Sequence, residues 1–259
     1  SMSTPCDLVI SGGGVLDLDG PDEMATMPRS VAVADGRIVD VGPVDAIDEG
    51  WNPTRRIDAT GHVVAPGFVD AHVHLGAFLG AGRPYERTTG PSPFSGAGPV
   101  GEALRMVAGF CAMEVPAEIV VPVLRPVFAA MLTSGFTGVV DAGGPGRDGV
   151  WQAAVESGIR AAVGPSLADS WHDEDGRFER RADTAARLAE AERFVAERVG
   201  DSDRVRPLVS AVETMGCSDE LLAGIAELAE RHDLPTHVHS HIGDDSASLH
   251  ESVLGAGQT

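Results

Sequence analysis

Hydrophobic and polar positions along this chain fall into two regimes. Up to about residue 57, short runs of alternating or β-branched residues (7–12, DLVISG; 29–41, RSVAVADGRIVDV) are separated by glycine-rich breaks, as in antiparallel strands joined by tight turns. Asp35-Gly36 lies between two such runs and predicts a hairpin turn, because both residues tolerate positive φ. From residue 62 onward, apolar strand-like runs at 62–75, 136–142, 159–167, 205–212 and 235–241 alternate with helical stretches. Within 182–199, Leu188, Ala191, Val195 and Val199 recur at i, i+3, i+7 and i+11; within 219–232, Leu221, Ile225 and Leu228 recur at i, i+4 and i+7. Ser218 is placed to cap the second of these helices, with Asp219 and Glu220 at the positive end of its dipole.

Strands that alternate with helices imply a parallel sheet. Five strand–helix units are countable, the fifth closing on the helix-like stretch 247–255. A closed barrel needs eight. The pattern alone therefore leaves two architectures open, a five-stranded open sheet and a barrel cut short. Residues 76–100 form a Gly/Pro/Ser-rich connection directly after the first strand, long enough to suggest a functional loop, and its Arg83, Tyr85 and Arg87 are candidates to meet an anionic substrate.

Composition narrows the partners. The formal net charge is −20 with a pI near 4.6, so phosphate backbones and anionic lipids are repelled and neither nucleic acid nor a membrane is expected as partner. No uninterrupted apolar run of about 20 residues is present, nor a basic segment followed by an apolar one at the N-terminus, so no span or signal peptide is expected. Cys6, Cys111 and Cys217 are an odd set without C-x-x-C spacing, which fits a reducing compartment and a cytoplasmic protein. All 19 basic residues are arginine. A Schiff-base lysine or a carboxylated lysine from this segment is thereby excluded.

Two histidine-bearing strands carry the candidate chemistry. In Pro66-Gly67-Phe68-Val69-Asp70-Ala71-His72-Val73-His74-Leu75, His72 and His74 are two apart, so they face the same side about 6.6 Å from each other and can converge on one ion. They sit near the C-terminal end of the first barrel-type strand, where barrel enzymes place their sites. In Pro235-Thr236-His237-Val238-His239-Ser240-His241-Ile242-Gly243-Asp244-Asp245, three histidines share a face, but the outer two are about 13 Å apart and cannot both bind one ion. His241 is favoured as the ligand, with His237 deeper as a core or supporting residue. Trp171 and His172 follow the third strand, and His172 is a substrate-contact candidate. Glu213 ends the fourth strand, where it could contact substrate or bridge a second metal. Cys217 has no neighbouring base and is not read as a nucleophile, and Asp70 and Asp141 are read as structural, Asp141 through hydrogen bonds to backbone.

With these residues in view, PGFVDAHVH after a β-rich segment resembles the signature of the amidohydrolase superfamily. More narrowly, the chain is similar to its branch of triazine hydrolases, cytosine deaminases and S-adenosylhomocysteine deaminases. Residues 131–141 (MLTSGFTGVVD), Gly158-Ile159-Arg160, and 217–222 (CSDELL) leading to 241–244 (HIGD) match in the family's order. The resemblance implies an α/β protein of (β/α)8 TIM-barrel type, incomplete at about five of eight units, with 1–58 as part of a small N-terminal β-sandwich and 59–259 as the N-terminal part of the barrel. It implies a Zn²⁺ or Fe²⁺ cofactor on His72, His74 and His241. Three residues after the last of these, Asp244 stands where the family has a proton-shuttling glutamate, with Asp245 beside it. The family's sixth-strand histidine and eighth-strand aspartate have no counterpart here, so an N-terminal fragment of a longer enzyme is expected.

The activity implied is hydrolysis of a C–N bond in a small molecule, a cyclic amide or an amino-heterocycle. An ion held by neutral imidazoles lowers the pKa of water from 15.7 to about 7, and a carboxylate moves the proton to the leaving group. The absence of lysine argues for one ion over a carboxylated-lysine binuclear centre. The alternatives are a binuclear deacetylase-like amidohydrolase bridged by Glu213, and a non-catalytic amidohydrolase-like scaffold. Five units leave unpaired strand edges, so a homo-oligomer or a further C-terminal segment is expected to cover them.

Overall fold

A computed structural model describes residues 3–16, 27–80, 113–172, 178–180 and 182–239. The chain divides into two compact units, Ser1–Gly67 and Phe68–Thr259.

Among the described residues, the first unit is a five-stranded sheet with one short helix. Its strands are β1 (Thr4–Val15), β2 (Pro28–Ala34), β3 (Arg37–Pro43), β4 (Trp51–Asp58) and β5 (Val63–Val64), with α1 (Val44–Gly50) between β3 and β4. They run in the order β3-β2-β1-β4, and β5 also pairs with β1. The hairpin expected at Asp35-Gly36 is present, with φ of 51° and 70°, and Asp7 Oδ2 accepts a 2.7 Å hydrogen bond from the Asp35 N–H that helps hold the turn. Cys6, Val9, Ala32 and Ile47 form the core of this sheet.

The apolar run 62–75 is one strand in pattern but two in space. Val63–Val64 pairs with β1, whereas Phe68–Val73 becomes β6 of the second unit. Pro66, which has no N–H to donate to a ladder, and Gly67 divide them.

The second unit continues with α2 (Ala117–Thr133), β7 (Phe136–Asp141), α3 (Arg147–Ser157), β8 (Arg160–Val163), β9 (Ser166–Leu167), β10 (Ser170–His172), β11 (Phe178–Arg180), α4 (Thr184–Ala196), β12 (Val205–Pro207), β13 (Val209–Glu213), α5 (Asp219–His232) and β14 (Thr236–His239). Runs 159–167 and 205–212 each break in two, at Gly164-Pro165 and after Pro207, because proline interrupts the ladder. The pieces stay in step: β8 pairs with β12, and β9 with β13, all parallel. With β6 parallel to β7, β7 to β8, and β13 to β14, five strand positions follow one another in chain order. That sequential parallel order, with helices between, is the wall of a (β/α) barrel.

Helix packing explains which residues face inward. In α5, Leu221, Ile225 and Leu228 are buried as the periodicity requires. In α4 the buried positions are Thr184, Ala191, Phe194 and Val195; Val199 is exposed because the helix ends at Ala196. α2 carries Pro122 and Pro126, four apart and both on its exposed side, while Val120, Val121, Leu124 and Phe128 face the core with Val139, Val150 and Trp151. Arg198 lies 4.0 Å from the Phe194 ring centroid and pairs with Asp148 and Glu197. Among the described residues no helix is long and apolar enough to cross a membrane.

One buried carboxylate ties the third strand to the helices that follow. Asp169 accepts from the Ser170, Thr184 and Ser218 hydroxyls at 2.6 Å each and from the Ser218 N–H at 2.7 Å. Burial works against its charge, yet these donors hold its carboxyl below the usual range. Ser218 Oγ also accepts from Leu221 N–H, capping α5 as expected. Ser218→Ala removes both roles and is expected to cost about 1–3 kcal/mol in urea unfolding; a change within 0.3 kcal/mol (about the noise of such comparisons) would show that the cap carries no weight.

Candidate metal centre

His72 lies one residue from the end of β6 and His74 one residue beyond it, and the two rings are 5.2 Å apart between centroids. Alternation along β14 turns His237 and His239 to a common face. The two strands thus deliver four imidazoles to one place. His74 Nε2 and His239 Nε2 are 3.1 Å apart, and His72 Nδ1 and His237 Nε2 are 3.0 Å apart. Among the described residues, His72, His74 and His239 form a group whose ligand atoms all lie within 4.8 Å of one another.

The donor chemistry fits a divalent ion. His74 Nδ1 is 2.7 Å from the Gly143 carbonyl, which can only accept, so Nδ1 carries the proton and Nε2 keeps its lone pair. Nitrogen ligands held about 2.0–2.1 Å from a tetrahedral ion stand about 3.3 Å from each other, close to the His74–His239 separation. Burial, reinforced by neighbouring rings, favours the neutral form of His239, His237 and His72, the form that ligation requires. His239 is pushed down to about 4 by burial and by His74, His72 and His237, against the opposing Val212 carbonyl. His237 is lowered by burial and by His72 and His74, and His72 by burial and His74, with Asp70 opposing.

Behind His74, the end of β7 supports the site. Asp141, 1% exposed, accepts from the Leu75 N–H at 3.0 Å and from the Gly143 N–H. Burial outweighs these bonds and raises its carboxyl to about 7. A carboxyl raised above its unfolded value stabilises the fold most at low pH, and that contribution is lost as pH rises through the folded value. The stability advantage of the metal-free chain over Asp141→Asn should therefore shrink between pH 4 and pH 8, by on the order of 4 kcal/mol at about 1.4 kcal/mol per unit. Urea unfolding at several pH values measures it, and a pH-independent difference would contradict it.

The other sequence-derived candidates are distributed unevenly. Glu213 ends β13 fully buried, in register with His239, and its Oε1 accepts from the Thr214 N–H at 3.1 Å and hydroxyl at 3.0 Å. His172 ends β10 with its backbone paired to Phe178, and its side chain lies outside the description. His241, Asp244 and Asp245 lie outside the described residues, as do Arg83, Tyr85 and Arg87. Asp70 Oδ1 accepts from the His72 N–H at 3.2 Å. Burial first, and then the charge of Asp169, pushes the Cys217 thiol up to about 12, in keeping with an inert cysteine. His239 was not singled out by the sequence pattern as a ligand; the only signal was its shared face with His237 and His241.

Comparison with known proteins adds the family. The profile of the amidohydrolase family matches residues 63–258, a stretch that holds all four clustered histidines. The chain belongs to the amidohydrolase family. It is 29% identical over 252 residues to a 5-methylthioadenosine/S-adenosylhomocysteine deaminase of Syntrophobacter fumaroxidans, covering 97% of this chain and 52% of that one. Among solved structures, an adenosine deaminase from Xanthomonas campestris with bound zinc superposes with a TM-score of 0.72 at 22% identity, over 99% of this chain and 54% of that one. An atrazine chlorohydrolase from Arthrobacter aurescens complexed with zinc does so at 0.71 and 19%, over 96% and 56%. The expected resemblance and fold class are borne out: this amidohydrolase is α/β, with the parallel strands of an incomplete TIM-type barrel. It spans about half the length of the relatives it matches.

Proposed function

We propose that this amidohydrolase chain holds one zinc ion on His72, His74 and a fifth-strand histidine, and serves hydrolytic deamination of an amino-heterocycle, with adenine nucleosides as the first substrate class to test. The observation that carries the metal reading is the convergence of three imidazoles, from β6 and β14, within 4.8 Å. His239 is the fifth-strand histidine the geometry favours, and His241 remains the candidate the family motif favours. The substrate class rests on the relatives named for deamination of methylthioadenosine, S-adenosylhomocysteine and adenosine.

Zinc bound by imidazoles supplies a water made acidic enough to react at neutral pH. The residues of this chain do the rest. The low basicity of His239, His237 and His72 keeps them as lone-pair donors at pH 7, and the Gly143 carbonyl holds the proton of His74 on the nitrogen away from the site. Asp244, three residues after His241, is the proposed carrier of the proton from water to the departing amine.

The test is ammonia release from 5′-methylthioadenosine, S-adenosylhomocysteine and adenosine by the zinc-loaded chain. Activity is expected to disappear with a chelator and return with zinc, and Asp244→Asn is expected to lose at least about 100-fold in kcat while retaining zinc. A zinc-loaded chain that releases ammonia from none of them contradicts the deaminase reading. The position of Glu213 beside His239 favours one second reading, a binuclear centre bridged by Glu213. In that case Glu213→Gln would lower the metal content from two equivalents to one.

A further inference from the structure

The His74 ring is held by more than its own strand. Beyond β7 the chain runs Ala142-Gly143-Gly144-Pro145-Gly146, all buried, and clasps the residues that follow His74. Gly143 and Gly144 have φ of 99° and 155°, a backbone that L side chains rarely adopt. A Cβ on Gly76 would stand 2.5 Å from the Pro145 carbonyl oxygen, and one on Gly144 3.2 Å from the Gly76 Cα, so neither position has room for a side chain. The Ala142 N–H donates to the Val73 carbonyl at 2.8 Å.

At the centre of this clasp is Asp141, whose carboxylate, among the described residues, is bonded to backbone N–H groups and to no imidazole. It accepts one N–H from the residue after His74 and another from Gly143, the residue whose carbonyl accepts His74 Nδ1–H. We infer that Asp141 is a positioning residue that fixes the orientation and tautomer of His74 through the backbones of Leu75 and Gly143, and so presents Nε2 as a ready ligand. The two backbone donors converge on one buried acceptor, which sets the distance between the ring and the carbonyl. The consequence for metal binding rests on the zinc reading above; the consequence for the tautomer does not.

Asn at position 141 keeps the shape but offers one oxygen and an amide N–H2, so one of the two backbone donors would face a donor. Two readouts on the purified chain separate the possibilities. The first is the tautomer of His74 in the metal-free chain at pH 8, from long-range proton–nitrogen-15 correlation of the imidazoles, with the signal assigned through His74→Asn. The second is Zn²⁺ affinity by competition with a chromogenic chelator. Wild type is expected in the Nδ1–H form, and Asp141→Asn to give a mixed tautomer and 10–100-fold weaker zinc binding, the loss typical of supporting residues.

Asp169→Asn is the control for mere destabilisation. It disturbs another buried carboxylate, which holds Ser170, Thr184 and Ser218, and is expected to lower stability without changing either readout. A His74 found as the Nε2–H form in wild type overturns the inference, and does so even if Asp141→Asn fails to fold. So does a folded Asp141→Asn with unchanged tautomer and affinity, or an equal zinc loss in Asp169→Asn. A chain whose His74 tautomer responds to Asp141 but which binds no zinc supports the positioning role and defeats the metal reading.

Discussion

Asparagine in place of His74 or of His239 is expected to abolish tight zinc binding and leave the fold intact. Each ring contributes one nitrogen, and the two nitrogens already stand 3.1 Å apart. A zinc site of four donors is worth on the order of 10–16 kcal/mol. One donor therefore represents about 3 kcal/mol or more, roughly a hundredfold or greater in Kd. Chelator competition measures it, with His232→Asn as control: His232 sits on α5 beside Glu192, outside the cluster, and its loss should not change zinc affinity. The folded state should survive because the ligands are partly exposed and belong to neither hydrophobic core cluster of the second unit. Should zinc affinity be the same in wild type, His74→Asn and His239→Asn, these imidazoles hold no ion.

Alanine at Gly164 is expected to be the most damaging single methyl in the barrel wall. Gly164 sits where β8 gives way to β9, pressed against the matching break between β12 and β13. An added Cβ would lie 1.7 Å from the Leu208 carbonyl oxygen and 2.7 Å from its carbon. The obstruction is backbone on both sides, so no rotamer relieves it. Either the Leu208 N–H bond to Val163 or the Ser210 N–H bond to Pro165 must give way, opening the third and fourth strands together. Overpacking alone costs about 1–3 kcal/mol, and a lost ladder bond adds to it, so a loss of more than about 3 kcal/mol is expected in urea unfolding. Gly80→Ala, whose added methyl meets nothing within 4 Å among the described residues, should stay within about 0.5 kcal/mol of wild type. A Gly164→Ala protein within 1 kcal/mol of wild type (a third of the expected loss) would mean that the two breaks do not interlock.

The features legible in the sequence are those that repeat or that demand a special residue. The period of Leu221, Ile225 and Leu228 names the buried face of α5, Asp35-Gly36 names its turn, and His72 and His74 name a strand face. α2 was hidden because Pro122 and Pro126 interrupt its pattern; both sit on the exposed side, where their missing donors matter least. The division of three apolar runs into paired pieces was equally hidden, since a run of β-branched residues does not say which partner each half will take. On β14 the period of two assigns a face to His237 and His239 but not a depth, and depth decides which nitrogen reaches His74. The Gly143 carbonyl has no side-chain signature, so the support behind His74 could emerge only from the fold.

Zinc K-edge X-ray absorption on the chain loaded with one equivalent of Zn²⁺ tests the central claim most directly. The account predicts a nitrogen or oxygen shell at about 2.0–2.1 Å together with the outer-shell scattering of three imidazole rings, reduced by one ring in His74→Asn. A spectrum free of imidazole scattering, or one that His74→Asn leaves unchanged, would contradict it.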